Sequence, residues 1–496
     1  MARARFGTDG VRGVANVELT PELVLALGRA IARHITAPTF LVGRDTRRSG
    51  PMLQAALSAG LASEGADVVD VGVLPTPALA WLSSVRALPA AVVSASHNPF
   101  GDNGIKLFAA GGVKLTEEME AAIEEELDRI LDPSAKGPQS LEGHGVGRMT
   151  VESGVGEAYV EQLSAPLEGR RLDGLRIVVD AANGAASHLA ASVYERLGAE
   201  VVAIGCEPDG TNINAGCGST STATLATAVV EHRADLGLAL DGDADRLLAV
   251  GPDGTVANGD ELIALFALDL AERGQLAGNT VVVTVMTNLG FRLAMAERNV
   301  IVKETPVGDR YVLAALDKEG FSLGGEQSGH IIFRRLATTG DGLLTGVVLA
   351  DLVNRSGRSL TELLDGLVSR VPQVLVNVPV PNTELLDRAD AVWSAVAEEE
   401  ARLAGSGRVL LRPSGTEPLV RVMVEAMGDG VAEAIAERLG KLVGFELQAA
   451  AATLGGRATP GGATPGGAIP GERSWPGGPG RPGRGAGRSL SVGPGH

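Results

Sequence analysis

The chain has 496 residues, of which 45% are hydrophobic but only 3% aromatic, and its formal charge at pH 7 is −17. This length exceeds what one hydrophobic core supports, and at about 150 residues per domain it predicts three or four domains. Two cysteines, Cys206 and Cys217, exclude a disulfide framework and favour a reducing, cytoplasmic compartment. Residues 1–13 lack a secretory apolar core, and no stretch approaches the ~18 apolar residues of a membrane span.

The distribution of charge limits the classes of partner. Residues 448–496 hold five arginines and one glutamate, so the rest of the chain is even more acidic than the total suggests. Such a body is a poor binder of nucleic acid, and neither a nucleic-acid nor a membrane partner is expected. A small anionic ligand would need arginines gathered locally.

Three segments share one predicted order of elements: a strand, a polar loop, an amphipathic helix and a second strand. This order predicts a βαβ unit of about thirty residues. The second strand opens with Gly-Ala-Asp-Val-Val in the first segment and Gly-Ala-Glu-Val-Val in the second, which favours duplication over chance. The segments are residues 40–71, 175–204 and 280–303, and the α/β domains predicted around them are 1–150, 151–255 and 256–370.

The C-terminal part differs in kind. Residues 371–447 alternate two predicted strands, 374–380 and 419–426, with two predicted helices, 385–403 and 431–443, which indicates a smaller α+β domain. Residues 448–496 are rich in Gly, Pro and Arg and cannot bury enough apolar surface to offset their ordering entropy, so we predict a disordered tail.

The stretch 90–108 begins with four apolar residues typical of a buried strand and then breaks into a polar loop with Asn-Pro and Asn-Gly turns. In α/β proteins such a loop presents reactive groups at the carboxyl edge of a sheet. The candidate nucleophile is Ser96, followed by His97 and, ten residues later, by Lys106. On this stretch alone, a catalytic serine and a capped structural loop are equal alternatives.

Three carboxylates, Asp241, Asp243 and Asp245, alternate in a loop between the predicted strands 235–240 and 247–250. Their oxygens can converge on one hard cation such as Mg²⁺ and leave room for a phosphate oxygen. A calcium EF-hand is excluded because its twelfth position, which needs Glu, is Pro252. A solvated acidic turn is less favoured because apolar strands flank the loop.

Residues 412–418, followed by Arg421, have the composition of an anion cradle. Arg412 and Arg421 offer forked donors to phosphate oxygens, Ser414 and Thr416 add hydroxyls, and Gly415 lets the backbone approach closely. An ordinary turn is the alternative, but this is the local gathering of cations that an acidic body requires.

Two further glycine-flanked loops carry weaker signals. Glu326, Ser328 and His330 offer polar groups that suit sugar hydroxyls, although a simple turn fits this string equally well. Residues 6–13 and 43–49 place cations in loops, of which Arg12 is the candidate for a reacting phosphate; taken singly, each string is more typical of a structural turn.

Together these loops, in order and one per predicted domain, resemble the α-D-phosphohexomutase superfamily over residues 3–447. The matching strings are Ser-Ala-Ser-His-Asn-Pro at 94–99, Asp-Gly-Asp-Ala-Asp-Arg at 241–246, Gly-Glu-Gln-Ser-Gly-His at 325–330 and Arg-Pro-Ser-Gly-Thr-Glu-Pro at 412–418. Within it, residues 6–13 and Gln327 are most similar to the phosphoglucosamine mutase family. Two departures are Pro306, where a basic residue is expected and which weakens the substrate assignment, and Ala244, where glycine is common.

The resemblance implies three α/β domains with mixed sheets that surround a central cleft together with the α+β domain. It implies that Ser96 carries a phosphate, gives it to the free hydroxyl of glucosamine 6-phosphate or glucosamine 1-phosphate, and recovers the other phosphate from a glucosamine 1,6-bisphosphate intermediate. One Mg²⁺ would be held by Ser96, Asp241, Asp243 and Asp245, with Arg246 and Arg12 adding positive charge.

Lys106 is the implied general acid/base, since nearby cations would lower its pKa, and His97 and His330 are alternatives. Glu326, Ser328 and His330 would bind the sugar. Closure of the C-terminal domain would accompany binding of the second phosphate. The residues expected to hold this phosphate are Arg412, Ser414, Gly415, Thr416 and Arg421.

The implied role is to supply UDP-N-acetylglucosamine and cell-wall synthesis, with Ser96 primed by a kinase or by the bisphosphate, and an oligomer is left open. The alternatives are a phosphomannomutase or phosphoglucomutase, a phosphosugar-binding protein without activity, and a hydrolase.

Overall fold

The computed structural model describes residues 5–7, 9–135, 141–414 and 418–455, with side chains up to residue 452. Two predicted phosphate-binding residues, Gly415 and Thr416, lie outside the described residues, as does the predicted tail from residue 456 onward. In the described part of the chain, no helix combines the length and apolar character that crossing a membrane requires.

The first sheet has eight strands in the order β1-β2-β6-β5-β3-β4-β8, with β7 beside β6. Its elements are β1 (Phe6–Gly7), β2 (Gly10–Val14), α1 (Pro21–His34), β3 (Thr39–Arg44), α2 (Gly50–Ser63), β4 (Asp67–Val73), α3 (Thr76–Arg86), β5 (Ala90–Val93), β6 (Asp102–Ala109), β7 (Val113–Lys114), α4 (Glu117–Leu131) and β8 (Met149–Val151). Apolar residues of α1, α2 and α4 share a core with Ala91 and Val93, whereas those of α3 pack with Ala90 and Val92. Helices thus cover both faces, which is why β5 is apolar and buried throughout.

The second sheet has five strands in the order β10-β9-β11-β12-β13. Its elements are α5 (Val155–Gln162), β9 (Arg176–Asp180), α6 (Ala190–Arg196), β10 (Glu200–Ile204), α7 (Ala223–His232), β11 (Leu236–Leu240), β12 (Leu247–Val250) and β13 (Val256–Ala257). Strand β13 extends this sheet two residues past the boundary that the sequence predicts.

The third sheet has four strands in the order β15-β14-β16-β17. Its elements are α8 (Gly259–Glu272), β14 (Thr280–Thr284), α9 (Leu289–Glu297), β15 (Ile301–Thr305), α10 (Asp309–Glu319), β16 (Leu323–Gly325), β17 (Ile331–Phe333), α11 (Gly342–Ser356) and α12 (Leu360–Leu364).

The three sheets share a four-strand motif. In each, a first strand pairs in parallel with the second strand of its βαβ unit and with a third strand, and a fourth strand pairs antiparallel with the third. The fold prediction of three similar α/β domains with mixed sheets is confirmed. The connection from third to fourth strand is the 94–101 loop in the first sheet, 241–246 in the second and 326–330 in the third, so equivalent loops carry the predicted serine, aspartate and sugar motifs.

The C-terminal unit is a three-stranded antiparallel sheet in the order β18-β20-β19, as the predicted α+β class requires. Its elements are β18 (Gln373–Pro379), α13 (Asp390–Leu403), β19 (Gly407–Pro413), β20 (Leu419–Ala426) and α14 (Val431–Gly455). Strand β19 is missing from the sequence prediction. Helix α14 also continues to Gly455, so the tail predicted from residue 448 begins with eight helical residues.

Candidate active site

The loop that carries Ser96 is held in an unusual conformation. Ser96 has a left-handed backbone with φ 51°. This conformation costs a non-glycine residue of order 1–3 kcal/mol and persists only where the surrounding structure holds it in place. Its backbone N–H donates to the Ser94 hydroxyl at 3.0 Å, and Asn214, from the second α/β unit, donates its side-chain amide to Ser96 O at 2.9 Å. The side chain of Ser96 therefore extends from a backbone that both units fix.

Arg47, which is 1% exposed, is the main support of this loop. Its Nη2 donates to Ser96 O at 2.9 Å and to Asn98 O at 2.8 Å, and its Nη1 donates to Pro99 O and Asp102 O. The Nε donates to a buried carboxylate of Asp45 at 2.8 Å. The sequence showed Arg47 only as one cation of the 43–49 loop, without indicating that it holds the serine loop.

The hydroxyl of Ser96 donates to Asp241 Oδ2 at 2.6 Å and lies 3.3 Å from His97 Nδ1. Burial, together with Arg246 and Arg12, lowers the pKa of His97 to about 4. His97 is therefore neutral near pH 7. One of its ring nitrogens can then donate a hydrogen bond and the other can accept one.

Asp241, Asp243 and Asp245 are buried and bring carboxylate oxygens within 4.8 Å of one another. The Oδ2 atom of each accepts from the protein: that of Asp241 from Ser96, that of Asp243 from Thr76 Oγ1 at 2.7 Å, and that of Asp245 from Lys106. The Oδ1 atoms of Asp243 and Asp245 are buried without a hydrogen-bond partner. Buried anionic oxygens without donors need a cation, so this set fits a hard divalent metal ion.

Electrostatics support the same interpretation. Burial, Asp245 and Asp243 together raise the pKa of Asp241 well above its usual range, because three carboxylates crowd one site. Ala244, in the middle of the loop, has φ 59°, a conformation that suits glycine better and explains why glycine is common there. The departure to alanine leaves all three carboxylates in place.

Lys106 lies on β6, is 3% exposed, and places its Nζ 2.7 Å from Asp243 Oδ2, 3.0 Å from Asp245 Oδ2 and 2.9 Å from Asp9 Oδ2. Burial lowers the pKa of Lys106, but Asp243, Asp245 and Asp9 outweigh burial and hold this pKa well above its usual range. The lowering expected from the sequence assumed a metal ion beside this amine, so it remains a prediction for the site with that ion bound. The contact with Asp9 joins residues far apart in the chain, and no local pattern reveals it.

Arg12 and Arg246 approach the same cluster from two sides. Arg12 lies on β2 opposite Gly104 of β6, pairs with Asp9, and has a buried Nε without a hydrogen-bond partner. Arg246 donates its backbone N–H to Asp241 Oδ1 at 3.1 Å, and its buried Nε also lacks a hydrogen-bond partner. Both guanidinium groups keep donors available for an anion.

In the third loop, His330 is buried, with Nδ1 3.6 Å from Asp245 Oδ1, and its Nε2 accepts from the N–H of Gly340 at 3.0 Å. Burial lowers the pKa of His330, but Asp245 and Asp309 outweigh it, so the pKa is raised. Glu326 Oε1 accepts from the N–H of Gly308 at 3.1 Å, and the buried Ser328 hydroxyl has no hydrogen-bond partner.

The predicted anion cradle lies where β19 and β20 pair, with Arg412 directly opposite Arg421. Burial and the charge of Arg421 lower the pKa of Arg412, and Glu326 of the third loop opposes them, so this pair lies within electrostatic reach of the sugar loop. The Nε of Arg412 and the hydroxyl of Ser414 are buried without a hydrogen-bond partner. Two adjacent guanidinium groups in a partly buried position fit a dianionic group such as a phosphate.

The structure thus brings Ser96, His97, Lys106, the three aspartates and His330 into one cluster, and Arg412 lies within electrostatic reach of Glu326 in the third loop. Sequence reasoning missed several residues that contact this cluster. For two of them the only signal was a place in a noted string, Asp9 in 6–13 and Arg47 in 43–49, and Asp309 lies three residues after the noted Pro306. The missed residues are Asp9, Arg47, Thr76, Lys114, Asn214 and Asp309.

Comparison with known families agrees with this arrangement. Four models of the phosphoglucomutase/phosphomannomutase family match the chain: alpha/beta/alpha domain I at residues 3–133, domain II at 157–254, domain III at 258–371 and the C-terminal domain at 375–442. The chain is 54% identical over 445 residues to a phosphoglucosamine mutase of Saccharopolyspora erythraea and 52% identical over 450 residues to one of Thermobifida fusca. These alignments cover 88% and 89% of this chain and 98% of each relative.

Solved structures show the same fold. A phosphoglucomutase/phosphomannomutase family protein from Burkholderia thailandensis has a TM-score of 0.73 and 27% identity, covering 88% of this chain and 97% of its own. An Aspergillus fumigatus N-acetylphosphoglucosamine mutase, solved with GlcNAc-6P and magnesium, has a TM-score of 0.63 and 18% identity, covering 90% of this chain and 96% of its own. Since the family models and the two relatives span nearly all of the described residues, the chain belongs to the phosphoglucomutase/phosphomannomutase family of the α-D-phosphohexomutases.

Proposed function

We propose that the chain interconverts glucosamine 6-phosphate and glucosamine 1-phosphate through a phosphoserine enzyme and a glucosamine 1,6-bisphosphate intermediate, and so supplies UDP-N-acetylglucosamine and cell-wall synthesis. The observation that carries the proposal is the Ser96 hydroxyl, 2.6 Å from Asp241 within a buried cluster of three aspartates. The relatives at 54% and 52% identity bear the name of this activity.

In this proposal Ser96 is the phosphate carrier. The P–O bond to Ser96 Oγ breaks as a bond forms to the free sugar hydroxyl, whose proton leaves to a base. In the second transfer the other phosphate moves from its sugar oxygen to Ser96 Oγ; the serine hydroxyl gives up its proton, and the released sugar oxygen takes one. A Mg²⁺ ion held by Ser96, Asp241, Asp243 and Asp245 would offset charge on the transferring group. Arg12 and Arg246 orient the phosphate through their available guanidinium donors.

Lys106 is our choice for the proton transfer, because its ammonium lies between the aspartates and Asp9 and contacts the same aspartate cluster as the Ser96 hydroxyl. A cation on the aspartates would weaken their hold on this ammonium and bring its pKa down towards a working range. His97, neutral and 3.3 Å from the serine oxygen, and His330 are the alternatives.

Glu326, Ser328 and His330 are assigned to the sugar, and the arginine pair with its loop to the phosphate that is not reacting. The second phosphate needs a site of its own because the bisphosphate must bind in two orientations. Closure of the C-terminal domain would bring the pair onto it. The residues assigned to this phosphate are Arg412, Ser414, Gly415, Thr416 and Arg421.

The test is Ser96→Ala, assayed for conversion of glucosamine 6-phosphate. We expect at least about a thousandfold loss of kcat and no mass increase of one phosphate after incubation with the bisphosphate. Ser164→Ala, which alters an exposed serine whose hydroxyl donates to the backbone of Glu161, is the control and should retain full activity. A Ser96→Ala protein with wild-type mutase activity contradicts the proposal.

Two further measurements separate the alternatives. Comparison of kcat/KM for glucosamine, glucose and mannose phosphates decides between this activity and the other mutases of the family, and inorganic phosphate released at the rate of substrate loss would indicate a hydrolase.

Mg²⁺ should raise the melting temperature of the wild-type protein and have no such effect on Asp243→Asn.

A further inference from the structure

Five charged side chains and the imidazole of His330 form a closed ring in which acidic and basic groups alternate. Successive atoms are 2.9, 2.6, 2.5, 3.5, 3.6 and 3.0 Å apart. The ring runs through Lys106, Asp9, Lys114, Asp309, His330 and Asp245 and returns to Lys106. Three of its members, Asp9, Lys114 and Asp309, have no role in the function proposed above, and we call them the outer arc.

Strand pairing explains why the outer arc is needed. Lys114 of β7 lies opposite Phe108 of β6, and Lys106 is two residues before Phe108, so both lysines extend from the same face of the sheet. Two neighbouring ammonium groups repel each other. Asp9, in the turn between β1 and β2, separates them: its Oδ2 contacts Lys106 Nζ at 2.9 Å and its Oδ1 contacts Lys114 Nζ at 2.6 Å.

The outer arc also joins two α/β units. Lys114 Nζ lies 2.5 Å from Asp309 Oδ2 at the first residue of α10, where a carboxylate is further favoured by the helix N-terminus. The same Asp309 oxygen lies 3.5 Å from His330 Nε2. Lys114 and Asp309 are each 13% exposed, so this ion pair is only weakly screened by solvent.

We infer that Asp9, Lys114 and Asp309 are positioning residues that fix Lys106 of the first unit and His330 of the third relative to each other. This inference rests on the proposed mutase function. A cation that neutralises the aspartates would weaken their attraction for Lys106, and Asp9 is then the anion that keeps its ammonium in place. Lys114 in turn holds Asp9 in position, and Asp309 holds His330 in position relative to Lys114.

The experiment compares Lys114→Met, Asp309→Asn and the double variant in the full-length protein. Each single variant should lower kcat about ten- to hundredfold, because a displaced proton-transfer group costs rate, while KM changes less than about threefold. The double variant should be no slower than the slower single variant, because one break already opens the arc.

Glu120→Gln provides a matched control. Glu120 of α4 forms a bidentate ion pair with Arg310, at 3.0 and 2.7 Å, between the same two units and one residue from Asp309, but outside the ring. If the outer arc only fastened the two units together, Glu120→Gln and Lys114→Met would have similar effects on kcat. We expect Glu120→Gln to keep kcat within about twofold of wild type.

A kcat within twofold of wild type for Lys114→Met or Asp309→Asn, or a double variant whose loss is the product of the single losses, overturns the inference. An inactive wild-type protein would instead contradict the proposed function. Amide hydrogen exchange in residues 326–330 then decides the inference: faster exchange in Lys114→Met than in Glu120→Gln supports it, and equal exchange overturns it.

Discussion

Arg47 and Arg412 are both arginines beside a phosphate-related loop, yet they differ in what their guanidinium groups contact. Arg47 is fully buried, and its Nε and both terminal nitrogens donate to protein oxygens around Ser96. Arg412 has a buried Nε without a hydrogen-bond partner and faces the like charge of Arg421. The first arginine is part of the scaffold, whereas the second keeps its donors for a ligand. Their contacts, and not their residue type, separate the two roles.

The largest effect should come from Arg47→Met. It removes the guanidinium donor from four backbone carbonyls and from the Asp45 carboxylate, and breaking such a buried pair costs about 3–5 kcal/mol of unfolding free energy. We also expect a loss of kcat/KM of more than about a hundredfold, because Ser96 loses its support. Denaturant unfolding and mutase kinetics measure the two quantities. Arg48→Met, which changes the exposed neighbouring arginine, is the control. If Arg47→Met were as stable as Arg48→Met, Arg47 would not be a structural residue and its distinction from Arg412 would be lost.

The second prediction concerns Arg412→Met. Loss of a charged donor pair to phosphate, at about 1.5–3 kcal/mol, should lower kcat/KM roughly ten- to hundredfold. The free energy of unfolding should change by less than about 0.5 kcal/mol. The Nε of Arg412 makes no hydrogen bond that the substitution would break, and the substitution also relieves repulsion from Arg421. Arg388→Met, at an exposed position of the same unit, is the control for kinetics. A large destabilisation by Arg412→Met would show that this arginine, too, is structural.

The third prediction concerns Asp260, in the first turn of α8 close to Arg408 and Glu425 of the C-terminal sheet. Burial raises its pKa from 3.8 to about 6, although the N–H of Asn288 donates to it at 2.9 Å. Because the folded-state pKa is raised, ionisation of Asp260 costs stability: the cost is absent below pH 3.8, grows between the two pKa values and is complete above pH 6.

Asp260→Asn removes that cost and keeps an oxygen for Asn288. The variant should therefore be more stable than wild type by up to about 3 kcal/mol at pH 8 and by about half as much at pH 5, as read from urea midpoints. Asp365→Asn, an exposed change in the same unit, should leave the midpoint unchanged at both pH values. A stabilisation that is larger at pH 5 than at pH 8 would contradict a raised pKa for Asp260. Confirmation would add a third kind of buried charged group to those of Arg47 and Arg412, one that neither supports a loop nor binds a ligand.

The sequence predicted best what depends on local pattern. The three βαβ units and the apolar strand before Ser96 follow from the period of apolar residues, and the grouping of Asp241, Asp243 and Asp245 follows from their alternation. Strand β19 was not predicted, because its last residues were interpreted as the start of the anion-binding loop at Arg412. The contacts of Arg47 with residues 96–102, and of Lys114 with Asp309, join residues about 50 and about 200 positions apart in the chain. No local pattern encodes such pairs, and the contact of Asp9 with Lys106 was missed for the same reason.

The equivalent placement of the loops at 94–101, 241–246 and 326–330 has a consequence for how such enzymes diversify. Each loop spans the same strand-to-strand connection, so the scaffold determines where a loop lies and its few residues determine what it contributes. If residues 326–330 bind the sugar, as proposed above, a change of sugar preference can arise there with the serine and aspartate loops left as they are. Three copies of one strand-to-strand connection thus offer three positions that can change independently.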